Sequence, residues 1–516
     1  MERLQLLNSV SKRKNVVGVF AGLNRTDTIA DGEFEEMENL TSSSYPAAEP
    51  RKPRGDRLKT ILRPHGMLWK NGLAYIDGTK FYYKDEEIGE VSDTDKQLAG
   101  MGAYIIIYPD KKIFNTADGS FENIEYTWQQ SAAATIAPTY DASTYTKITC
   151  TGIGAGFKAG DGVTISGCSA EVLNGSKIIQ SCEADFIVVI GQIQEEVTQE
   201  NGIKVTRTAP DLDFICESDN RLWGCSSKNH EIYASKLGDP KNWNCFEGVS
   251  TDSYAATVGS DGDFTGCISF MGYVLFFKEE CIHKLYGNKP SNIQINTYPF
   301  RGVAKGCEKS LCVVNETLYY VSRNDVMQYD GAIPESASVK LGTLDAVGAA
   351  GESYQGKYYV SITEENAGTN LYVFDTERLL WHREDDTKFL YAEYGEGSFY
   401  YIAGAELRTI ESAAGAERVK WSATSGAQFE GNMNRKRVTK IQFMAEMGRD
   451  TLFELFVSYD GSPIWQRVYT KRETDKCSDE ICIKPKKCNY YKWRIKGIGQ
   501  FKLYGIAKTV QIAGVR

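Results

Sequence analysis

The chain has 516 residues and a formal net charge of −9, and its 48 Gly, 30 Tyr and 22 Phe favour strands and tight turns over helices. The negative charge disfavours a surface that grips duplex DNA along the whole chain. The N-terminus lacks the apolar core of a secretory signal, and no apolar run is long enough to cross a bilayer. We therefore expect a soluble protein made in a cytoplasm.

Residues 1–56 predict an extended N-terminal arm. Prolines and small polar residues predominate, and such a segment becomes ordered by lying on another surface. Four apolar residues favour this interpretation: Phe34, Met37, Leu40 and Tyr45. The arm also carries an acidic cluster (Glu33, Glu35, Glu36, Glu38) and a basic cluster (Arg51, Lys52, Arg54, Arg57). We expect these clusters to contact a neighbouring subunit, so that the arm matters for assembly more than for folding.

Seven similar hairpins follow the arm, each with an aromatic-rich strand on either side of a polar turn. They begin near Leu73, Ala103, Arg221, Tyr273, Thr317, Lys357 and Ser398. From Arg221 onward they start roughly 40–50 residues apart, which is the length of a four-stranded propeller blade. The pattern predicts an all-β protein with a β-propeller of about seven blades, formed by residues 57–128 and 208–416.

The clearest single blade is predicted between residues 213 and 248. Its four apolar-aromatic runs, 214–216, 222–225, 232–234 and 243–246, alternate with turn-forming residues such as Asp219-Asn220 and Lys228-Asn229. Four short strands joined by tight turns make an antiparallel meander. Several of the 13 cysteines lie in strand patterns, where reduced thiols pack as small apolar residues: Cys216, Cys225, Cys267 and Cys312.

The second and third hairpins are separated by too many residues for one blade. The excess, residues 129–207, begins with a linker of small residues at 131–135 and contains four strand patterns, 147–151, 162–166, 176–181 and 186–190. We therefore predict a small β domain inserted between two blades, and we expect the propeller to fold without it because a surface loop tolerates insertion.

Residues 417–516 lose the blade period and show longer strand patterns. These patterns cover residues 437–447, 452–459, 465–471, 490–496 and 501–512. About 100 residues of this kind predict a C-terminal β-sandwich.

Three motifs carry possible chemistry, and each has a plainer explanation. Residues 458–465 resemble the Asp-box of sialidase propellers, but Gly461 comes one position early and Asp460-Gly461 suits a turn between two strands. The glycine-rich run at 152–156 lacks the lysine of a phosphate-binding loop and a following helix. Cys477, Cys482 and Cys488 lie near Asp475 and Asp479 but lack a CxxC pair or a nearby histidine, so a zinc site is only weakly indicated.

The four histidines, His65, His230, His283 and His382, are isolated in the sequence. None belongs to a metal-ligand pair, and no nucleophile–base pair is identifiable. We therefore predict a protein with no catalytic residue, no cofactor site and no metal site.

The order of parts resembles bacteriophage tail proteins, most closely the packaged-DNA stabilisation or tail nozzle proteins of short-tailed phages. The residues that carry the resemblance are 32–34, 37–40, 45–46 and 51–55 in the arm, 222–223, 232–235 and 238–243 in the propeller, and 157–165 in the insert. The resemblance implies a virion protein that forms a ring, usually of six copies, below the portal and its adaptor. The ring would extend the DNA channel and retain packaged DNA until ejection, without enzymatic activity or membrane anchoring.

A conduit must not grip the DNA that it conducts, because each phosphate contact with Lys or Arg tightens binding. We therefore expect a neutral or acidic lumen, with Asp261-Gly262-Asp263 and Glu364-Glu365-Asn366 as candidate linings. The basic run Arg435-Lys436-Arg437 is then expected at subunit or adaptor contacts. The alternative is a glycan-binding or glycan-cleaving propeller of a tail spike or fibre, which should show paired carboxylates about 5–10 Å apart in a cleft.

Overall fold

The computed structural model describes residues 11–139, 144–412, 417–431 and 433–512. The chain is all-β and contains a seven-bladed propeller, an inserted β domain and a C-terminal β-sandwich, which confirms the predicted fold class. It forms two compact units, one of residues up to Thr60 and from Lys309 onward, the other Ile61–Glu308. The described helices are short 3₁₀ turns at Glu171–Leu173, Pro290–Asn292 and Val339–Leu341. No helix in the described part of the chain is long and apolar enough to span a membrane.

The N-terminal segment contributes five strands to three different sheets. They are β1 (Ser11–Val17), β2 (Phe34–Glu38), β3 (Leu40–Thr41), β4 (Glu49–Pro50) and β5 (Lys59–Thr60). Strands β3 and β4 pair with each other, β5 joins the seventh blade, and β1 and β2 join the C-terminal sandwich.

The unit formed by Ile61–Glu308 contains blades 1 to 4 and the insert. Blade 1 consists of β6 (Pro64–Trp69), β7 (Leu73–Asp77), β8 (Lys80–Tyr83) and β9 (Glu86–Glu90). Blade 2 consists of β10 (Gln97–Met101), β11 (Tyr104–Tyr108), β12 (Lys112–Asn115) and β13 (Phe121–Asn123).

The insert follows blade 2 and forms one eight-stranded antiparallel sheet. Its strands are β14 (Tyr126–Gln129), β15 (Ala134–Pro138), β16 (Tyr145–Thr149), β17 (Gly162–Ser166), β18 (Gly175–Glu183), β19 (Phe186–Ile190), β20 (Val197–Gln199) and β21 (Lys204–Arg207). The sheet order is β14-β21-β17-β18-β19-β16-β15-β20, so β14 and β20 are its edges. Residues 131–135, expected as a linker, already include the start of β15, where Ala134 is fully buried in the insert's own core.

Blades 3 and 4 complete this unit. Blade 3 consists of β22 (Phe214–Ser218), β23 (Arg221–Ser226), β24 (Glu231–Ala234) and β25 (Tyr254–Thr257). Blade 4 consists of β26 (Phe264–Phe270), β27 (Tyr273–Lys278), β28 (Ile282–Tyr286) and β29 (Gln294–Tyr298).

The other unit contains blades 5 to 7. Blade 5 consists of β30 (Cys312–Val314), β31 (Thr317–Val321), β32 (Val326–Tyr329) and β33 (Glu335–Ser336). Blade 6 consists of β34 (Ala346–Tyr354), β35 (Lys357–Glu364), β36 (Gly368–Asp375) and β37 (Leu380–Arg383). Blade 7 consists of β38 (Tyr391–Gly395), β39 (Ser398–Ala403) and β40 (Glu406–Thr409), and β5 pairs with β40 as its fourth strand.

All seven predicted hairpins are the second and third strands of a blade. The second strands read as nearly continuous apolar runs because both of their faces are covered, as in β31, where four of the five residues are buried. The turn into the second strand has two residues with positive φ in several blades, for example Asp219-Asn220 (51° and 58°) and Asn315-Glu316 (47° and 62°). This is the hairpin turn whose twist matches that of the flanking strands.

One strand of the clearest blade was predicted wrongly. The fourth strand of blade 3 is β25, whereas the predicted run at 243–246 lies in the long connection before it. Trp243 is buried there in a core shared by blades 2 and 3, together with Tyr108 and Leu222. Its apolar pattern therefore reflects packing of a loop rather than pairing of a strand.

The C-terminal sandwich is organised by one long bent strand. Its strands are β41 (Lys420–Ser425), β42 (Lys436–Tyr459), β43 (Gln466–Cys482), β44 (Tyr491–Ile498) and β45 (Phe501–Ile512). The first half of β42 pairs with β45 and the second half pairs with β44, and the register shifts between Met447 and Thr451. Aromatic rings fill the space between the layers: Trp421 lies 4.4 Å from Phe501, and Phe443 lies 4.5 Å from Phe453.

The N-terminal segment completes both layers of this sandwich. Strand β1 pairs with β45 from Ser11 to Val17, and β2 pairs with β41, with Phe34 opposite Ser425. Phe34 and Leu40 are fully buried, and the Phe34 ring lies 6.0 Å from that of Trp493. The surface on which the arm lies is therefore part of its own chain, which gives the segment a role in folding, and its role in assembly stays a prediction.

We expect Phe34→Ala to lower the free energy of unfolding by about 3–5 kcal/mol, because it opens a cavity between β2 and the sandwich core. The control is Val16→Ala on β1, where the side chain is 65% exposed. Chemical denaturation followed by tryptophan fluorescence measures both. Equal, small effects of the two substitutions would show that the segment is not part of the folded core.

Candidate functional site

A buried ion-pair cluster fixes the end of the N-terminal segment. We define it as Arg51, Arg54, Glu384, Asp385 and Glu417. Arg54 Nη2 lies 2.7 Å from Glu384 Oε2 and 3.0 Å from Asp385 Oδ2. Arg51 Nη2 lies 2.8 Å from Glu417 Oε1 and 3.2 Å from the same Asp385 oxygen. The two arginine side chains are only 7% and 9% exposed, so the cluster holds charges that must be paired to be tolerated.

The cluster joins three parts of one unit. Glu384 and Asp385 follow β37 at the end of blade 6, Glu417 precedes β41 of the sandwich, and the arginines lie between β4 and β5. Burial would lower the pKa of Arg54, but Glu384 and Asp385 outweigh it and raise the pKa of this guanidinium. Burial alone would raise the pKa of Asp385, but Arg54 and Arg51 hold it below the usual value. Each of these two groups therefore favours the charged form of the other.

The other charged residues of the segment also pair within the chain. Glu33 Oε1 lies 2.9 Å from Lys340 Nζ, Glu36 Oε2 lies 2.6 Å from Arg494 Nη2, and Glu35 contacts Lys492. On the basic side, Lys52 Nζ lies 2.9 Å from Glu411 Oε1, and Arg57 Nη1 lies 3.7 Å from Glu406 Oε1. These pairs give the clusters a role within the chain, and their contact with a neighbouring subunit stays a prediction.

Replacing Arg54 with Met should lower the free energy of unfolding by about 3–5 kcal/mol, because it leaves Glu384 buried without a close positive partner. Arg57→Met is the matched control, since Arg57 is 56% exposed and its ion pair contributes about 0–1 kcal/mol. Thermal unfolding by calorimetry compares the two variants. Equal unfolding temperatures for Arg54→Met and Arg57→Met would contradict this role of Arg54.

The insert is docked on the connection between β24 and β25, which we call the docking loop (residues 235–253). Asn242 is fully buried, donates from Nδ2 to Gly160 O at 2.7 Å and accepts from Gly162 N at 3.2 Å. Lys236 Nζ donates to Gly160 O at 3.1 Å, and Lys158 Nζ lies 2.8 Å from Asp239 Oδ2. Excision of the insert removes these partners from buried groups, which adds a cost that the sequence did not indicate.

Within the described residues, one group of side chains has metal-ligand spacing, and it lies in the docking loop. Cys245, Glu247 and Asp252 place one ligand atom each within 4.8 Å of one another. However, Asp252 Oδ2 already accepts the backbone N–H groups of Glu247, Gly248 and Val249, and Lys236 Nζ lies 3.3 Å from Cys245 Sγ. The carboxylate caps the loop and a lysine supplies the positive charge, so we assign the group a structural role.

Within the described side chains, Cys482 and Cys488 do not converge with a histidine or with Asp479 into a metal-ligand group. Cys488 is buried and donates weakly to Lys436 O at 3.6 Å, whereas Cys482 is exposed at the end of β43. Asp479 pairs with Lys471 at 2.8 Å. The side chains of Asp475 and Cys477 lie outside the described residues.

The Asp-box-like and glycine-rich motifs are both structural. Asp460 and Gly461 have φ of 50° and 69° in the turn between β42 and β43, and Asp460 Oδ1 accepts from the backbone of Asn489 and Tyr490. Gly154 lies so close to the backbone of Glu183 that a Cβ would come within 2.0 Å of its carbonyl oxygen. The Asp460 contacts confirm the predicted turn between β42 and β43. Close packing against the Glu183 backbone explains why residue 154 is a glycine.

His283 makes contacts that its isolation in the sequence gave no reason to expect. In blade 4, its Nε2 lies 2.9 Å from Ser260 Oγ and its Nδ1 lies 2.8 Å from Thr297 Oγ1. Burial, together with the nearby Lys278, lowers its pKa to about 4. Two hydroxyls and no carboxylate orient the ring. We therefore interpret this neutral imidazole as a packing group, not as a catalytic base.

The titration of His283 predicts a pH dependence of stability. Because its pKa falls from 6.5 to about 4 on folding, the stabilisation is complete above pH 6.5 and is lost as the pH decreases toward 4. This single histidine therefore lowers the free energy of unfolding by about 3 kcal/mol when the pH reaches the pKa of its folded form. His283→Gln should reduce the slope of unfolding free energy between pH 6.5 and 4, whereas His230→Gln, at an exposed position, should leave it unchanged. Identical slopes in all three proteins would contradict this assignment.

Glu352, on the first strand of blade 6, contacts a buried thiol on the first strand of blade 5. Glu352 Oε1 accepts from Cys312 Sγ at 3.5 Å and from Ser353 N at 2.6 Å. Burial raises the pKa of Glu352. Burial also raises the pKa of Cys312, and Glu352 and then Glu393 add to that effect. A raised pKa is the property that a carboxyl group requires to act as a general acid.

The candidate lumen residues differ in exposure. Asp261 and Asp263 are exposed in the connection between blades 3 and 4. Glu364 is instead buried and lies 3.8 Å from Arg25, so it is not a lining residue, while Glu365 is exposed beside it. In the basic run, Lys436 is buried and donates to Asn489 O. Its neighbours Arg435 and Arg437 are exposed.

No protein-family model and no curated protein matches the chain. Similar solved structures include an exo-β-1,3-galactanase from Phanerochaete chrysosporium, at 10% identity over 57% of this chain and 94% of that chain, with a TM-score of 0.23. The phage phi92 endosialidase is 11% identical over 94% of this chain and 69% of that chain, with a TM-score of 0.16. Kluyveromyces lactis Hsv2 is 10% identical over 65% of this chain and 98% of that chain, with a TM-score of 0.25. These likenesses are too distant to assign an activity or a partner.

Proposed function

We propose that the chain is a structural subunit of a phage tail that forms a ring, with six copies as the working number. The ring extends the DNA channel of the portal and its adaptor and retains packaged DNA until ejection. It is assembled in the bacterial host cytoplasm and retained in the virion.

The observation that carries this proposal is the way the N-terminal segment binds the parts of its unit together. It supplies an outer strand to both sandwich layers, the fourth strand of blade 7 and two arginines of the buried ion-pair cluster. Separating the sandwich from blade 7 would break the pairing of β1, β2 or β5. It would also expose the buried ion-pair cluster. Such cross-linking suits a subunit that must hold its shape against the pressure of packaged DNA.

Charge also supports a conduit. The chain carries −9, and a ring of such subunits offers DNA little to grip. We expect purified protein to form closed rings by electron microscopy and to bind duplex DNA more weakly than about 1 µM, even at low salt. Micromolar or tighter binding with a steep salt dependence would contradict the conduit, because it would reveal a phosphate-binding surface.

A second candidate function, a glycan-cleaving propeller of a tail spike or fibre, is favoured by Glu352. The pKa of this carboxyl group is raised by burial beside Cys312, which fits the general acid of a glycosidase. The deciding assay incubates the protein with host polysaccharides and measures reducing ends. Turnover that is abolished by Glu352→Gln but not by Glu335→Gln, an exposed acid of blade 5, would replace the structural proposal.

A further inference from the structure

One end of the C-terminal sandwich exposes apolar and basic side chains together. We call it the basic end and define it by Phe429, Met433, Ile464, Arg435, Arg437, Lys484, Lys486 and Lys487. The three apolar side chains are 41%, 81% and 71% exposed. The five basic residues are all exposed. Large apolar side chains at this exposure, clustered rather than scattered, mark an interaction surface.

Contacts among three loops hold this end together. The Phe429 ring lies 5.2 Å from that of Tyr490, and Lys436 Nζ lies 5.9 Å from the Phe429 centroid. The backbone groups of Lys436 and Cys488 bond to each other, and Asp460 accepts from the backbone of Asn489 and Tyr490. The loops before β42, before β43 and before β44 therefore converge at one place.

The positive charge of the basic end is not neutralised locally. Arg435, Arg437, Lys484 and Lys487 form no ion pair within the described part of the chain. The carboxylates near these residues are occupied: Glu430 accepts from Tyr491 Oη at 2.6 Å, Glu480 pairs with Lys440, and Asp460 holds the turn before β43. A partner with negative charge would complement this surface.

The insert presents a surface with the opposite charge. Its edge strand β20 pairs only with β15 and is surrounded by Glu195, Glu196 and Glu200, all exposed, with Val197 38% exposed between them. None of these three carboxylates forms an ion pair within the described residues. We call this surface the acidic edge.

We propose that the basic end of one copy of the chain binds the acidic edge of a second copy. The inference rests on the proposed ring, and it names the contact that would form it. Because the two surfaces differ, the contact is heterologous, and repetition closes a ring when the rotation between copies permits. Opposite charges select the partner and set the register, while Met433, Ile464 and Val197 lose exposure to water.

The composition of the basic end favours a protein partner over a polyanion. Interfaces between proteins are enriched in aromatic residues, Met and Arg. A nucleic acid would use the lysines, but it would gain little from Ile464 and Met433, whose exposed methyl and methylene groups need an apolar surface. An open sheet edge is also a natural acceptor of another protein chain.

The test uses two charge-reversed full-length variants. The first replaces Lys484, Lys486 and Lys487 with Glu, and the second replaces Glu195, Glu196 and Glu200 with Lys. Each variant alone places like charges across every contact, so we expect self-association to weaken by roughly a hundredfold, as measured by light scattering and electron microscopy. An equimolar mixture should recover rings in which the two variants alternate. The reversed end of the first variant then meets the reversed edge of the second, and the unchanged end of the second meets the unchanged edge of the first.

The control replaces Lys228, Lys388 and Lys420, all exposed elsewhere, with Glu and should form rings like the wild type. Unchanged unfolding temperatures establish that the variants fold. Rings in either variant alone, or no recovery in the mixture, would overturn the inference and leave the proposed ring standing. Duplex DNA binding by the wild type that is lost in the first variant would assign the surface to nucleic acid. A wild-type protein that never forms rings would overturn the proposed function itself.

Discussion

The pairing of Arg51 and Arg54 with Glu384, Asp385 and Glu417 constrains how the unit that contains them can fold. Two guanidinium groups with side-chain exposures of 7% and 9% are stable only where carboxylates meet them, and these carboxylates come from the end of blade 6 and the start of the sandwich. The N-terminal segment must therefore run between the end of blade 6 and the start of the sandwich, where both arginines meet their carboxylates. Asn39 reinforces it, since its side chain accepts from Arg51 Nε at 2.7 Å and donates to Lys420 O.

This path explains why the segment has so little regular structure of its own yet so many buried residues. Between β2 and β5 it forms only the two-residue strands β3 and β4, but its side chains bond to distant positions. Ser42 Oγ donates to the buried Asp375 Oδ2 at 2.5 Å, and Lys357 Nζ donates to Thr41 Oγ1 at 3.3 Å. Ordering the segment costs conformational entropy, and these bonds together with Phe34 and Leu40 offset that cost.

The fold was predictable where its signal was local, whereas the contacts of the candidate sites were not, because they join residues that are distant in the sequence. Each blade repeats an apolar strand, a two-residue turn and a second strand within about 15 residues, so the sequence alone shows the period. The pairing of β2 with β41 joins residues almost 400 positions apart and leaves no local pattern. The burial of Lys436 and Glu364, and the docking of Asn242 on Gly160, likewise depend on groups that the fold brings together. Trp243 gave a false local signal, because the apolar pattern of a buried loop resembles that of a strand.

The claim that the N-terminal segment belongs to its own subunit is tested most directly by hydrogen–deuterium exchange on the protein at a concentration where it is monomeric. Residues 34–38 donate and accept in the ladder with β41, so their amides should exchange as slowly as those of β41 and β44. We expect the same slow exchange of these amides in the monomer and in the ring. Fast exchange of residues 34–38 in the monomer, with protection only after assembly, would contradict it and return the segment to a neighbouring subunit.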